Sequence, residues 1–319
     1  MGLIFPLSRN KGITLLLVMT SAALIVGQMI LTDANPFVLW GNWLMAGVLS
    51  VCLWYIIGRF HLGGVNECKS LAITWPMMSA TLNFVYLYFD INYPYLHGLV
   101  LLLSLMAIIT LVLSIWQEVQ STVRALGIGL LVGMSSTFFP HTILWLLLVP
   151  FIIFHMRATS ARNVFSIITG ALLGIWIVYF TLDMVLGAER SDAMLMQYID
   201  IFQISQYVGA IEALSLWQWL YLSILALMVI VYSISAMVLG TGHSTRASAS
   251  IMLLSTLSIA AVVLLCFDLS HTSLYISQLA LFLCIQLTIH QANLRSSANE
   301  WWTITIITLC IGLSVPPLL

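Results

Sequence analysis

Few side chains in this sequence can do acid, base or metal chemistry, because only 7% of its 319 residues are Asp, Glu, Lys or Arg. His141 directly follows Pro140, a residue type that ends helices, and would begin the next helix with free backbone N–H groups facing a cavity. Asp268 and His271 stand three residues apart, which allows mutual hydrogen bonding or shared coordination of a metal ion. Asp33 supplies a further carboxylate directly after the first apolar run. These four ionisable residues are the candidate catalytic groups.

Each candidate also fits a structural role. A single histidine in an apolar stretch is commonly a core residue with a satisfied ring. Asp268 could cap the end of a helix, and Asp33 could form the turn before Pro36. The five cysteines of the chain form neither a CxxC pattern nor a disulfide framework. The sequence leaves both interpretations of the candidate residues open.

The glycine-rich stretch before the proline predicts a broken pair of helices. Gly129 and Gly133 form a GxxxG motif, which lets a second helix approach closely. The apolar segments 125–139 and 142–155 meet at Pro140, and both are short for full membrane spans. Non-helical backbone at membrane depth must be covered by protein or line water. The break is therefore expected to border an aqueous cavity.

Composition excludes a water-soluble protein, since 61% of the residues are hydrophobic and the mean hydropathy is +1.08. Apolar runs of bilayer length predict an all-α, polytopic bundle of about eleven helices in one integral domain, residues 1–319. Those runs are Ile13–Leu31, Trp43–Phe60, Leu71–Phe89, Leu96–Trp116, Ala125–Phe139, Thr142–His155, Asn163–Leu186, Trp217–Leu239, Ile251–Phe267, Leu274–His290 and Trp301–Val315.

Charges orient this bundle. Nine of the ten Lys and Arg residues fall on one side of it, and Arg190 alone falls on the other. The positive-inside rule predicts an inner-membrane protein with a cytoplasmic N-terminus and an extracytoplasmic C-terminus. Solvated loops or a wet outer cavity would each explain why most acidic residues lie on the outer side. The outer acids are Asp33, Asp90, Asp183, Glu189, Asp192, Asp200, Glu212 and Asp268.

The segment 188–216 is the one stretch outside the predicted spans that is long enough to have structure of its own. Its apolar and polar residues fall largely on opposite sides of a helix, which predicts an amphipathic helix on the outer leaflet. It lacks the basic face of an anionic-lipid binder. We therefore expect it to cover the helical bundle.

The order of elements resembles a known family. An outer Asp after the first helix, helical hairpins, a glycine-rich helix, a Pro break and a basic inner turn follow one another. This layout resembles the membrane module of the C-type glycosyltransferases, which take sugars from polyprenyl-phosphate donors. That resemblance implies that Asp33 is the catalytic base and that Arg190 holds the donor phosphate, although this chain has one Asp where the family often has a pair or DxD. The run 116–184 is also similar to a family of Bacteroidota inner-membrane proteins of unknown function, which share a Phe-Phe/Tyr-Pro break and an Arg-containing turn.

These observations predict a multi-pass protein of envelope glycan or lipid-linked sugar handling, with glycosyl transfer at the outer face as its enzymatic form. Asp33 would deprotonate an acceptor hydroxyl, while Arg190 or a divalent metal ion stabilises the departing phosphate. Two other functions fit the sequence: a catalytically silent subunit of an envelope assembly or export complex, and a small-solute transporter. The expected partners are the lipid bilayer, a polyprenyl-phosphate-linked sugar and other envelope membrane proteins, with no nucleic acid.

Overall fold

Most of the residues that the structure describes lie in helices. This computed structural model describes residues 19, 21–23, 25–26, 28–30, 35–62, 69–89, 95–118, 121–187, 196, 214–240, 244–267 and 271–291, and no strand occurs within them. Four of these helices are long and apolar enough to cross a membrane. They are Pro36–Arg59, Ala161–Val185, Leu216–Gly240 and Thr245–Leu265. The predicted all-α membrane fold is confirmed to this extent.

The helices are numbered here in chain order. They are α1 (Pro36–Arg59), α2 (Lys69–Tyr88), α3 (Tyr95–Ser114), α4 (Thr122–Phe138), a 3₁₀ helix (Pro140–Leu148), α5 (Val149–His155), α6 (Ala161–Leu186), α7 (Leu216–Gly240), α8 (Thr245–Phe267) and α9 (His271–Gln291). The predicted first span, Ile13–Leu31, is described only at residues 19, 21–23, 25–26 and 28–30, which are helical. The predicted last span and nearly all of the predicted amphipathic segment 188–216 lie outside the described residues.

Several helices begin earlier than the apolar runs predicted, and α1 shows the reason. The run was expected to start at Trp43, whereas the helix starts at Pro36. Proline suits the first turn of a helix because its missing N–H needs no partner there. The Asn35 side chain accepts a hydrogen bond from the N–H of Phe37 at 3.0 Å and so caps the helix. Capping chemistry, which hydropathy does not record, set the boundary.

The chain divides into two compact units. Unit 1 comprises residues 1–99, 215–262 and 274–319, and unit 2 comprises residues 100–214 and 263–273. The helices α3, α8 and α9 each contribute residues to both units. The sequence predicted one integral domain over residues 1–319. That prediction depends on how the two units associate, and it stays a prediction.

In unit 2, α4 and α6 pack side by side and run in the same direction. A Cβ atom added to Gly129 would meet the carbonyl of Ile167, and one added to Gly133 would meet the carbonyl of Ala171. The contact is reciprocal, because a Cβ at Gly174 would lie 2.5 Å from the Leu130 carbonyl oxygen. Residue numbers rise together along both helices, so the pair is parallel. The glycines allow the backbones to touch, as the GxxxG motif predicted.

A parallel pair requires the chain between the two helices to return over the full length of α4. The return segment has nine residues of 3₁₀ helix and seven of α5, which span about 28 Å at 2.0 and 1.5 Å per residue. This is slightly longer than the 17-residue α4, which spans about 25 Å. The Gln117 N–H donates to the Met156 carbonyl at 3.0 Å, beside the start of α4. The predicted segments 125–139 and 142–155 are each short for a membrane span. In the structure, α4 and the return segment have nearly equal lengths.

In unit 1, α1 and α2 pack through tryptophan side chains. The Trp75 indole N–H donates to the Trp43 carbonyl at 3.0 Å, and the two rings lie 4.8 Å apart between centroids. Gly47 makes room for this ring, because a Cβ there would lie 2.6 Å from Trp75 Cζ2. Burying the indole while its N–H is satisfied fixes α2 against α1.

Candidate functional site

The residues predicted to do chemistry are only partly placed. Asp33, Arg190 and Asp268 lie outside the described residues. His141 is the second residue of the 3₁₀ helix and His271 is the first residue of α9. Both histidines belong to unit 2. Their convergence with the other candidates around one cavity stays a prediction.

The predicted break occurs where the sequence placed it. α4 ends at Phe138, and Phe139 leaves the helical conformation with φ −131° and ψ 80°. The 3₁₀ helix begins at the next residue, Pro140. The Thr142 N–H and hydroxyl both donate to the Phe139 carbonyl, at 2.9 and 2.8 Å. A nine-residue 3₁₀ helix is unusually long. Its rise of about 2.0 Å per residue makes the return segment longer than an α-helix of the same number of residues.

The opposite end of unit 2 carries a basic junction, formed by residues 114–118, 121–124 and 156–163. Arg124 donates to the Glu118 carboxylate and to the Ser114 carbonyl, each at 2.6 Å. The Arg157 guanidinium lies over the Trp116 ring, 5.7 Å from its centroid. Because α4 runs from this junction to the break, the two features lie at opposite ends of the helix pair. An Arg and Trp boundary is typical of a membrane interface.

Sequence reasoning missed a second feature, the polar surroundings of α9 in unit 1. Every side chain of α9 from residue 274 to residue 289 is buried. Neutral polar residues nevertheless recur along this helix, including Ser277, Gln278, Gln286 and Thr288. A helix buried on all sides contacts other helices instead of lipid. Its polar groups must therefore find partners inside the protein.

Gln278 connects α9 to two other helices. Its side-chain amide donates to the Thr81 carbonyl at 3.1 Å and to the Tyr221 hydroxyl oxygen at 2.7 Å. The Tyr221 ring stacks on Phe84 with centroids 4.5 Å apart. The amide thus joins α2, α7 and α9 at one level of unit 1.

Gln286 makes the equivalent connection two turns further along α9. Its amide donates to the Thr74 hydroxyl oxygen at 3.0 Å and to the Ser50 carbonyl at 3.3 Å. On another side of α9, the hydroxyl of Ser233 and the thiol of Cys284 lie 3.2 Å apart. α9 is therefore hydrogen-bonded to α1, α2 and α7.

A chain of three buried side-chain amides extends this polar interior. Asn42 donates to the Asn83 side-chain oxygen at 3.1 Å, and Asn83 donates to the Gln28 side-chain oxygen at 3.1 Å. The three residues are each at most 3% exposed. The chain links α2 to α1 and to the helical residues around position 28.

Several buried polar atoms in unit 1 have no hydrogen-bond partner within the described residues. They are the side-chain oxygens of Gln278 and Gln286 and the hydroxyl oxygens of Ser50 and Ser255. A buried polar atom without a partner carries a desolvation penalty of about 1 to 3 kcal/mol. Such atoms commonly mark a bound water, ion or ligand.

A metal centre is not formed by the side chains that the structure describes, among which three or more His, Cys, Asp or Glu residues do not cluster. A divalent ion at the outer face stays a prediction that depends on the undescribed acids.

No protein-family model, curated protein or solved structure matches this chain.

The signal for the α9 interior is present in the sequence. Gln28, Asn42, Asn83, Gln278 and Gln286 all interrupt apolar runs. Amide side chains in membrane helices usually hydrogen-bond across helix interfaces. Because these amide side chains are uncharged, the positions of the ionisable residues do not reveal them.

Proposed function

We propose that this chain is a multi-pass inner-membrane protein that handles envelope glycans or lipid-linked sugars at its outer face. The observation that carries this function is the helix break at Phe139 and Pro140, at the end of α4 remote from the basic junction. The positive-inside rule puts that junction in the cytoplasm and hence the break at the outer face. Non-helical backbone inside a membrane favours a cavity lined by protein or filled with water. His141 would lie at the edge of that cavity.

The proposed chemistry is transfer of a sugar from a polyprenyl-phosphate donor. Asp33 would accept the proton of the acceptor hydroxyl as that oxygen attacks the anomeric carbon. The bond from that carbon to the donor phosphate breaks, and Arg190 or a divalent cation would stabilise the departing phosphate. His141, Asp268 and His271 would complete the polar outer cavity. About eleven helices in the C-type layout would form the apolar groove for the lipid tail.

Replacing Asp33 tests this chemistry. Asp33→Asn keeps the size of the side chain but removes its basicity, so sugar transfer should fall by about 10²- to 10⁴-fold at unchanged expression. The assay is incorporation of labelled sugar from a lipid-linked donor in membranes that contain each variant. Asp90→Asn is the matched control, since it also removes an outer carboxylate but should leave transfer intact.

Arg190→Lys is a second test of the same chemistry, because lysine keeps the positive charge but cannot make the bidentate phosphate contact of arginine. Wild-type transfer by both Asp33→Asn and Arg190→Lys would reject the enzymatic function. A silent subunit of an envelope assembly or export complex would then replace it.

Small-solute transport is a second candidate, and the neutral polar interior around α9 favours it. Hydrogen-bonding side chains inside a membrane bundle can line a path for a polar solute. Uptake of labelled glycerol or glucose into proteoliposomes, without sugar transfer, would support this function over the first.

A further inference from the structure

We infer that Ser50 and Gln286 hold a small neutral hydrogen-bonding ligand, a water molecule, between α1, α2 and α9 of unit 1. This site is independent of the proposed sugar chemistry. Gln286 forms one side of the site. Its side-chain amide donates hydrogen bonds to Thr74 Oγ1 and to the Ser50 carbonyl. The oxygen of the same amide has no hydrogen-bond partner within the described residues.

Ser50, whose carbonyl Gln286 contacts, has a second such atom. Its carbonyl accepts from Gln286 at 3.3 Å, whereas its hydroxyl oxygen is without a partner in the described part of the chain. Both residues are 0% exposed. The two unpartnered oxygens belong to residues already in contact, so one water making two hydrogen bonds, with a reach of about 5 Å, can join them.

The chemistry of the two groups selects the ligand. The Gln286 oxygen only accepts hydrogen bonds, whereas the Ser50 hydroxyl donates or accepts. A water can donate to the amide oxygen and pair with the hydroxyl in either sense. The groups that contact Gln286 are neutral. A metal ion would lack a countercharge among them, and burying an uncompensated ion is far more costly than burying water.

A double-mutant cycle between Ser50→Ala and Gln286→Met tests the site. Ser50→Ala removes the hydroxyl but keeps the carbonyl that Gln286 binds directly. Coupling between the two substitutions therefore reports what lies between the hydroxyl and the amide oxygen. The measurement is the thermal unfolding midpoint of the full chain purified in detergent.

With a bridging water, Ser50→Ala should lower the midpoint by roughly 1 to 3 °C. The unfolding midpoint of the double variant should fall by less than the sum of the two single-variant shifts. The control pair is Ser50→Ala with Gln278→Met, a second buried glutamine whose oxygen also has no partner in the described residues. Gln278 lies eight positions away on the same helix, about 12 Å along its axis, so this pair should be additive.

Additive shifts in the Ser50 and Gln286 cycle would overturn the site. An unchanged or raised midpoint for Ser50→Ala would do the same, and it decides the question even if Gln286→Met does not fold. The cycle is repeated in sodium, potassium and choline chloride. Equal coupling in all three salts is expected for water, and coupling that requires sodium or potassium would replace the water with a cation.

Discussion

Asn83 occupies the centre of the amide chain in unit 1. It donates to Gln28 and accepts from Asn42, each at 3.1 Å. Asn83→Leu would fill the space but leave both partner groups without this bond, so the free energy of unfolding should fall by about 1 to 3 kcal/mol. Denaturant titration of the purified protein measures the change. Thr256→Val is the control, because that partly exposed hydroxyl donates to the Met252 carbonyl of its own helix and links no second helix within the described residues. Equal stability of Asn83→Leu and wild type would contradict a stabilising role.

The partners of the buried amides could not be predicted from the sequence. Gln278 and Thr81 are separated by 197 residues, and Gln286 and Thr74 by 212. Hydropathy shows that each amide interrupts an apolar helix, but only the packing of α9 against α2 brings the groups together. Asp33, Arg190 and Asp268 present the reverse case: their chemical types suggest a site, while their convergence stays a prediction.

At the scale of elements, the glycine contact between α4 and α6 leaves no space for a methyl group. A Cβ at Gly133 would meet the Ala171 backbone, so Gly133→Ala must push the helices apart and should destabilise the protein by about 1 to 3 kcal/mol. Gly58→Ala is a matched control in α1, because nothing lies within 4 Å of a Cβ at that position. It should be neutral or slightly stabilising. Both are compared by denaturant unfolding, and equal stability of the two variants would show that α4 and α6 do not need close contact.

Helix positions were largely predictable, whereas helix direction was not. Apolar length located α4 and the Pro140 break, because both depend on local sequence. The parallel pairing of α4 with α6 depends on contacts between Gly129 and Ile167, 38 positions apart by number. The extended 3₁₀ return segment was also unexpected, because its length is required by that pairing.

At the scale of the whole molecule, the distribution of Lys and Arg predicts which loops face the cytoplasm. In a variant whose five cysteines are replaced, single cysteines introduced at positions 90–95 and 191–212 should react with an impermeant thiol reagent added from outside. Cysteines at positions 59–69 and 241–246 should react only after the membrane is opened. Reaction of both sets from outside would refute the orientation. Fractionation of the same cells tests the inner-membrane location.

Two of these Lys and Arg residues lie at one end of unit 1. Arg246 at the start of α8 lies over the Phe60 ring at the end of α1, 5.9 Å from its centroid. The cation at the end of α1, Arg59, therefore lies at the same end of unit 1 as Arg246. The positive-inside rule predicted Arg59 and Arg246 on one side of the membrane. No sequence pattern predicted the division of the chain into two compact units.

The parallel α4 and α6 pair also constrains how the protein is made. α4 starts at residue 122 and α6 at residue 161, a separation of 39 residues. At a synthesis rate of about 5 to 20 residues per second, α6 emerges about 2 to 8 seconds after α4. During that delay the glycine surface of α4 has no α6 to contact, and the return segment must cross in the opposite direction first. The glycine surface of α4 therefore contacts something other than α6, such as lipid or the insertion machinery, until its partner is synthesised.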